Sequence, residues 1–379
     1  MIVKNNFIIV GSTGRNTGKT EFACRLIKQY SNQHKIIGVK VVAIERSEDE
    51  SCPRGGKGCG ICTSLKSDFE ISEETIIDNT KDTSRMLIAG ASKVYFLKVD
   101  KDYLEKGFNA LLKIIPEDAM VIIESNSIRK VFEPGLFIVI RNAEDKTVKE
   151  SCAEVIDFAD KVIEFKDMSW DFEPERVLIK NNKWIIREKA TAIVLAGGRS
   201  SRMGEDKALL PVNGMPLIQH IIDQLDGHFD EILIGANDQE KYSFTKLNVV
   251  QDIEKDKGPL MGIYSCLQQS ANDINFITAC DIPEMNIKLI KNMINLSVNF
   301  DIVMPVSGNE KYEPLYAVYR KTVLAKARQI LSSNGSRIIE LLNGSRVKLI
   351  DFSDQKWYQN INVKDDYLEF IKERNKNVK

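Results

Sequence analysis

Short runs of apolar, often β-branched residues recur along the first part of the chain: "NFIIVG", "KIIGVKVVAI", "KVYFLKV", "AMVIIES", "LFIVIRN" and "DKVIEF". Within each run the apolar residues follow one another instead of alternating with polar ones. That pattern belongs to strands buried on both faces, as in a parallel sheet covered by helices. Between them, "GKTEFACRLIKQY" and "DYLEKGFNALLKII" carry apolar residues at helical spacing. "RVLIKNNKWIIRE" holds two strand-like runs about an Asn-Asn pair and predicts a hairpin closing the first half.

From Ala190 the pattern restarts with "TAIVLA", "EILIGA", "LNVVQD", "NFITACD" and "DIVMPVS", again with apolar helical stretches between them. The expected fold is α/β in two domains, 1–189 and 190–379, each a mostly parallel sheet flanked by helices. At 379 residues the chain is long enough for two such cores. No internal repeat or low-complexity tract joins the halves; they share a class and not a motif.

Composition narrows the functional classes. With 53 basic and 54 acidic residues the net charge is -1, which argues against a general nucleic-acid binder. No apolar run reaches the roughly 18 residues of a membrane span, and "MIVKNNFIIVGS" lacks the apolar segment of a signal peptide. A cytoplasmic location without membrane or nucleic-acid partners is expected. Only 3 histidines are present, and no Ser/His/Asp arrangement suggests itself.

In open α/β sheets the ligand lies at the carboxyl ends of the strands. After "AIVLA" come Gly197 and Gly198, whose missing Cβ atoms allow close backbone approach to a base or phosphate, and then the cations Arg202 and Lys207. After "EILIGA" comes Asn237, able to donate and accept at a base edge. "LNVVQD" ends in Asp252 and "NFITACD" in Asp281, where a carboxylate can hold Mg²⁺ between phosphate oxygens. Singly, each has an ordinary reading: Gly-Gly shapes turns, Lys and Arg are surface charges, and Asp caps helices. Their common placement after strands of one sheet favours a nucleotide site.

The segments "LAGGRSSRMGEDKALLPVNGMPL", "GAND", "QDIEKDKGPLMGI", "ACDIPEM", "EPLYAVYR" and "QNINVKDD" occur in the order and spacing found in molybdenum cofactor guanylyltransferases, the MobA family. The resemblance spans essentially all of 190–379 and implies a Rossmann-like nucleotidyltransferase domain. Sugar-nucleotide transferases are similar, but usually carry Pro-Lys where this chain has Asp206-Lys207. By the resemblance, Leu195, Ala196, Gly197, Lys207, Asn237, Asp252 and Asp281 bind GTP, with Asp281 also on Mg²⁺. Asn360 and Asn362 match a late Asn-x-Asn pair expected near the pterin or metal, although Lys364 replaces the usual following proline.

The implied reaction is attack of the molybdopterin phosphate on the α-phosphorus of GTP with loss of pyrophosphate. Positioning and charge neutralisation carry such chemistry, with Arg202, Lys207 and Asp281 as the catalytic candidates. A cytidylyltransferase acting on the same pterin and a non-catalytic GTP-dependent carrier remain as alternatives. Molybdoenzyme apoproteins or chaperones are further candidate partners.

The first half opens with "GSTGRNTGKT", a Gly-Lys-Thr at a strand-to-helix turn. Backbone N–H groups there can cradle an anion, with Gly14 and Gly18 shaping the loop, Lys19 on β/γ-phosphates and Thr20 on Mg²⁺. The first glycine of the usual motif falls on Thr13, a shifted form that resembles P-loops of the dethiobiotin synthetase type. Glu124, at the end of "AMVIIE", is the expected acidic partner for Mg²⁺. "KDTSRMLIAGASKVYFL", with matching positions Asp82, Thr83 and Arg85, resembles MobB, a P-loop GTP-binding accessory protein. Two phosphate loops thus fit a fusion of two proteins serving one cofactor.

"SCPRGGKGCGIC" adds Cys52, Cys59 and Cys62, three thiols amid glycines, for which an iron–sulfur cluster, a zinc site with an external fourth ligand, and an inert loop all stay open. Neither resemblance accounts for them. Cys24 and Cys152 lie in apolar helical contexts and read as core residues.

Overall fold

A computed structural model describes residues 1–45, 65, 67–78, 80–145, 147–197, 206–307, 311–352 and 358–376. The chain forms two units, Met1–Ile186 and Arg187–Lys379.

The first unit contains β1 (Ile2–Ser12), α1 (Lys19–Tyr30), β2 (Ile36–Ile44), β3 (Phe69–Glu73), α2 (Asp82–Ile88), β4 (Lys93–Asp100), α3 (Leu104–Leu112) and β5 (Met120–Glu124). It continues with β6 (Phe132–Asn142), α4 (Glu150–Ala153), β7 (Lys161–Lys166), β8 (Ser169–Trp170), β9 (Val177–Lys180) and β10 (Lys183–Ile186). Its eight-stranded sheet runs β3-β4-β2-β5-β1-β6-β7-β8. The six inner strands are parallel, and β3 and β8 close the edges antiparallel.

The uninterrupted apolar runs have a physical reason. Ile9, Val39, Val121 and Phe137 share one core layer with Phe108 of α3, while Ile8, Val10, Ile122 and Ile138 share the other with Phe22 and Leu26 of α1. The Asn-Asn hairpin forms as β9 and β10, and Asn181 and Asn182 both take positive φ (50° and 58°), the two-residue turn suited to strand twist. The edge strands β3 and β8 were not expected from sequence; both are short, and one carries alternating polar residues.

The second unit contains β11 (Glu188–Leu195), β12 (Pro211–Val212), β13 (Met215–Pro216), α5 (Leu217–Leu225), β14 (Phe229–Gly235), β15 (Asn248–Val250), α6 (Pro259–Gln269) and β16 (Ile274–Ala279). Then follow α7 (Ile287–Leu296), β17 (Ile302–Ser307), β18 (Lys311–Tyr312), β19 (Tyr316–Arg320), α8 (Leu324–Ser332), β20 (Val347–Asp351) and α9 (Lys364–Lys376). The sheet order is β15-β14-β11-β16-β19-β17-β18, with β20 beside β17.

Here the expectation of a mostly parallel sheet is corrected to a mixed one. β15, β14, β11 and β16 are parallel, but β19 runs antiparallel to both β16 and β17. β19 follows β17 after a connection too short for a crossover, so it must return alongside in the opposite sense. Helices α5 and α7 cover one face, α6 and α8 the other. Among the described residues no helix is long and apolar enough to cross a membrane.

Candidate functional site

Four parallel strand ends lie in one row. Leu195 is in register with Gly235 on one side and Ala279 on the other, and Gly235 with Val250. One residue further the ladder persists: Ala236 N–H donates to Val250 C=O (2.9 Å), Ala196 N–H to Gly235 C=O (2.9 Å) and Cys280 N–H to Leu195 C=O (3.0 Å). At the next residue the strands have ended. There stand Asp252, Asn237, Gly197 and Asp281, four of the residues singled out from sequence, side by side along one sheet edge.

Leu195 places its side chain against Gly235, where a Cβ would come within 2.6 Å of Leu195 Cδ2 and 2.9 Å of Cys266 Sγ. A larger residue at 235 would therefore displace the row. Asn237 and Asp252 are bound to each other, Asn237 Nδ2 donating to Asp252 Oδ2 (2.8 Å) and Asp252 N–H donating to Asn237 Oδ1 (2.9 Å).

Lys207 begins a short 3₁₀ turn, Lys207–Leu209, capped by Asp206, whose Oδ1 accepts from Ala208 N–H (3.0 Å). The other oxygen of Asp206 accepts from Tyr242 Oη (3.3 Å) and pairs with Lys241. Burial pushes the Asp281 carboxyl above its ordinary range; Lys207 opposes that shift and Glu313 adds to it. A half-buried carboxylate with this bias suits a bound cation. Among the described residues no group of three or more His, Cys, Asp or Glu side chains could hold a metal, so at Asp281 substrate oxygens and water would complete the coordination. The adjacent Cys280 thiol, pushed up to about 12 by burial, stays protonated.

The late Asn-x-Asn segment is brought to the same place. Ile361 N–H donates to Asp281 C=O (2.8 Å), which sets Asn360 and Asn362 on either side of that contact. Among the described residues Asn360 Oδ1 is buried without a hydrogen-bond partner, while Asn362 is exposed and its N–H donates to Asp366 Oδ2 (2.7 Å) in the first turn of α9. Gly198 and Arg202 lie outside the described residues.

In the first unit, β1 leads through residues 13–18 into α1, and Gly18 takes φ +68°. A Cβ there would meet the Phe165 ring at 2.7 Å, so both conformation and space call for glycine. At Gly14 a Cβ would meet nothing nearer than Thr17 Cγ2 at 3.7 Å, so packing makes no such demand. Glu124 is 3% exposed, in register with Val10 of β1 and Lys40 of β2. It accepts from Thr20 Oγ1 (2.8 Å) and pairs with Lys19 (3.2 Å) and Lys40 (3.6 Å).

Lys40 also pairs with Asp82. Burial raises the Asp82 carboxyl, yet its hydrogen bond and charge contact with Lys40, together with Thr20 and Lys19, leave it below its ordinary range. A hydroxyl and two carboxylates are the oxygen donors a hard cation takes. Thr83 and Arg85 serve other partners, Glu74 and Glu21. Cys152 is fully buried in the core and Cys24 partly packed against it. Cys52, Cys59 and Cys62 lie outside the described residues.

A family profile described as "MobA-like NTP transferase domain" matches residues 192–347. The "Probable molybdenum cofactor guanylyltransferase" of Carboxydothermus hydrogenoformans is 32% identical over 192 residues, covering 49% of this chain and 96% of that protein. The "Molybdenum cofactor guanylyltransferase" of Vibrio campbellii is 31% identical over 182 residues, 47% of this chain and 93% of its own length. A solved structure of molybdopterin-guanine dinucleotide biosynthesis protein A from Archaeoglobus fulgidus aligns with 49% of this chain and 99% of its own, at 18% identity and a TM-score of 0.43.

The chain belongs to the molybdenum cofactor guanylyltransferase family. It is a nucleotidyltransferase. The family profile takes in the whole row of strand ends, whereas Asn360 and Asn362 fall beyond it.

Within this guanylyltransferase-family unit, sequence reasoning passed over Tyr242, Lys241, Glu313 and Tyr358. Tyr358 Oη donates to the buried carboxylate of Glu313 (2.7 Å), beside Asp281. The "EPLY" of the quoted motif was the available signal for Glu313. In the first unit Lys40 was missed, although a lysine inside the apolar run "IIGVKVVAI" was a visible anomaly.

Proposed function

We propose that residues 190–379 transfer GMP from GTP to the terminal phosphate of molybdopterin, releasing pyrophosphate. The observation that carries this reading is the row Asp252, Asn237, Gly197 and Asp281 beyond aligned strand ends, with Lys207 close enough to bias the Asp281 carboxyl.

In this reading the backbone at Leu195, Ala196 and Gly197 lies along the nucleotide, and the Asn237–Asp252 pair offers a fixed set of donors and acceptors to its base and ribose. Lys207 and Arg202 neutralise charge on the departing pyrophosphate. Asp281 would hold Mg²⁺, which when bound supplies charge neutralisation around the α-phosphate. The Asn360–Asn362 segment, fastened to Asp281 through Ile361, faces the acceptor side.

The first unit is read as a GTP-binding accessory domain. Gly14, Gly18 and Lys19 take the phosphates, and Thr20 and Glu124, joined by Asp82, would hold Mg²⁺. Lys19 and Lys40 neutralise the two carboxylates in the present arrangement.

The test is pyrophosphate release from GTP, CTP and ATP by the full-length protein, with and without molybdopterin. Release from GTP alone, dependent on molybdopterin and Mg²⁺, is expected. Equal use of CTP would reassign the base, and GTP binding without release would favour a carrier.

A further inference from the structure

Tyr242 is 1% exposed, in the 3₁₀ segment Glu240–Thr245 that follows β14, and its ring belongs to the core shared with Ala208 and Ala236. Its hydroxyl lies 3.1 Å from the Ala196 carbonyl oxygen and 3.3 Å from Asp206 Oδ2. A phenol has one hydrogen to donate, and both neighbours are acceptors. Both distances exceed the usual 2.7–2.8 Å of O–H···O bonds, which fits a single hydrogen divided between the two acceptors. Burial and the charge of Asp206 push the phenol well above its ordinary range, so it remains a donor at any working pH.

Both oxygens of Asp206 are engaged within the protein: Oδ1 caps the Lys207 turn, and Oδ2 meets Tyr242 and Lys241. Asp206 is thus anchored within the protein, next to Lys207 in the family motif. Ala196 directly precedes Gly197, and Asp206 directly precedes Lys207. One buried hydroxyl therefore joins Ala196 to Asp206.

We propose that Tyr242 is a positioning residue for nucleotide binding: its hydroxyl sets the separation between the backbone leaving β11 and the turn that presents Lys207. The proposal rests on the reading that these two groups hold GTP. It gives Lys241 a supporting role, as the cation paired with Asp206 that helps hold it in place.

Tyr242→Phe keeps the ring in the core and removes only the hydroxyl. In full-length protein carrying Lys19→Ala, so that the first unit does not contribute GTP binding, KM for GTP is expected to rise about 10-fold or more. KM for molybdopterin should stay the same. A merely structural loss would reduce the amount of active enzyme, lowering kcat with both KM values unchanged, and that result overturns the proposal. Asp206→Asn, which keeps a capping oxygen, should be milder than Asp206→Ala, and Tyr242→Phe should add little to Asp206→Ala.

Equilibrium titration with GTP and Mg²⁺ reads the same effect without the acceptor. Equal Kd in Tyr242→Phe and its parent overturns the positioning role whether or not transfer occurs. Weaker binding in the variant, with no transfer by the parent, strikes only the functional reading. No binding by the parent removes both.

Discussion

Asn237 and Asp252 exchange two hydrogen bonds across the ends of β14 and β15, each acting once as donor and once as acceptor. The pair fixes the amide's orientation, because the oxygen must face the Asp252 N–H. It follows that neither residue should be replaceable without disturbing the other. Asn237→Ala and Asp252→Ala should each raise KM for GTP, by about 10-fold, with the double variant little worse than either single one. Additive losses in a kinetic double-mutant cycle would show that the two act separately.

Asp281 provides a pH test with a definite sign. Its carboxyl lies above the ordinary value near 3.9, because burial disfavours the charged form. A raised folded-state value means the group favours folding when protonated, and that contribution is lost as pH rises through the folded-state pKa. At neutral pH the uncomplexed protein therefore carries a penalty that Asp281→Asn relieves. The variant should melt at higher temperature than the parent at pH 7 and lose that advantage near pH 4. Mg²⁺-dependent transfer should nevertheless fall by about 10²-fold or more. A variant less stable than the parent at pH 7 would contradict the sign.

Among the described residues the Lys207 side chain makes no hydrogen bond or salt bridge, in contrast to Lys19 and Lys241, although its charge reaches Asp281. Lys207→Ala should consequently leave the melting temperature almost unchanged while lowering kcat/KM for GTP by about 10²-fold. Unimpaired steady-state kinetics would remove it from the site.

Lys19 tests whether the two units act separately. On the proposed reading of the first unit, Lys19→Ala should abolish its nucleotide binding and leave GMP transfer by the full-length protein largely intact. It should also cost some stability, since it strips a cation from the buried Glu124. If transfer drops as far as in Lys207→Ala, the two phosphate sites are coupled.

For Cys52, Cys59 and Cys62 spacing leaves a metal site and an inert loop both open. Near-stoichiometric iron or zinc in anaerobically purified protein, lost in the Cys59→Ser, Cys62→Ser variant, would establish a metal site. Metal-free protein, with that variant fully active, would mark the segment as a spacer.

The sequence by itself determined the two α/β units, the buried parallel strands and most of the row at their ends. These features follow from local rules. An apolar run without alternation must be covered on both faces, and a polar residue after such a run lies at the sheet's carboxyl edge. Gly18 and the Asn181–Asn182 turn were legible for the same reason, since their backbone conformations favour those residue types. What only the tertiary structure decided was pairing across long separations. β19 became antiparallel because of where its chain had to return, and Lys40 met Glu124 because β2 and β5 are neighbours in register. Tyr242 became a bridge because folding brought residues 46 and 36 positions away onto one hydroxyl. Its own segment, "DQEKYSFT", shows a tyrosine and one phenylalanine among polar residues, with nothing to mark the tyrosine as a bridge. Hydrophobic periodicity reports which face of an element is covered, but the partner of a buried polar atom is set by the register of strands distant in sequence.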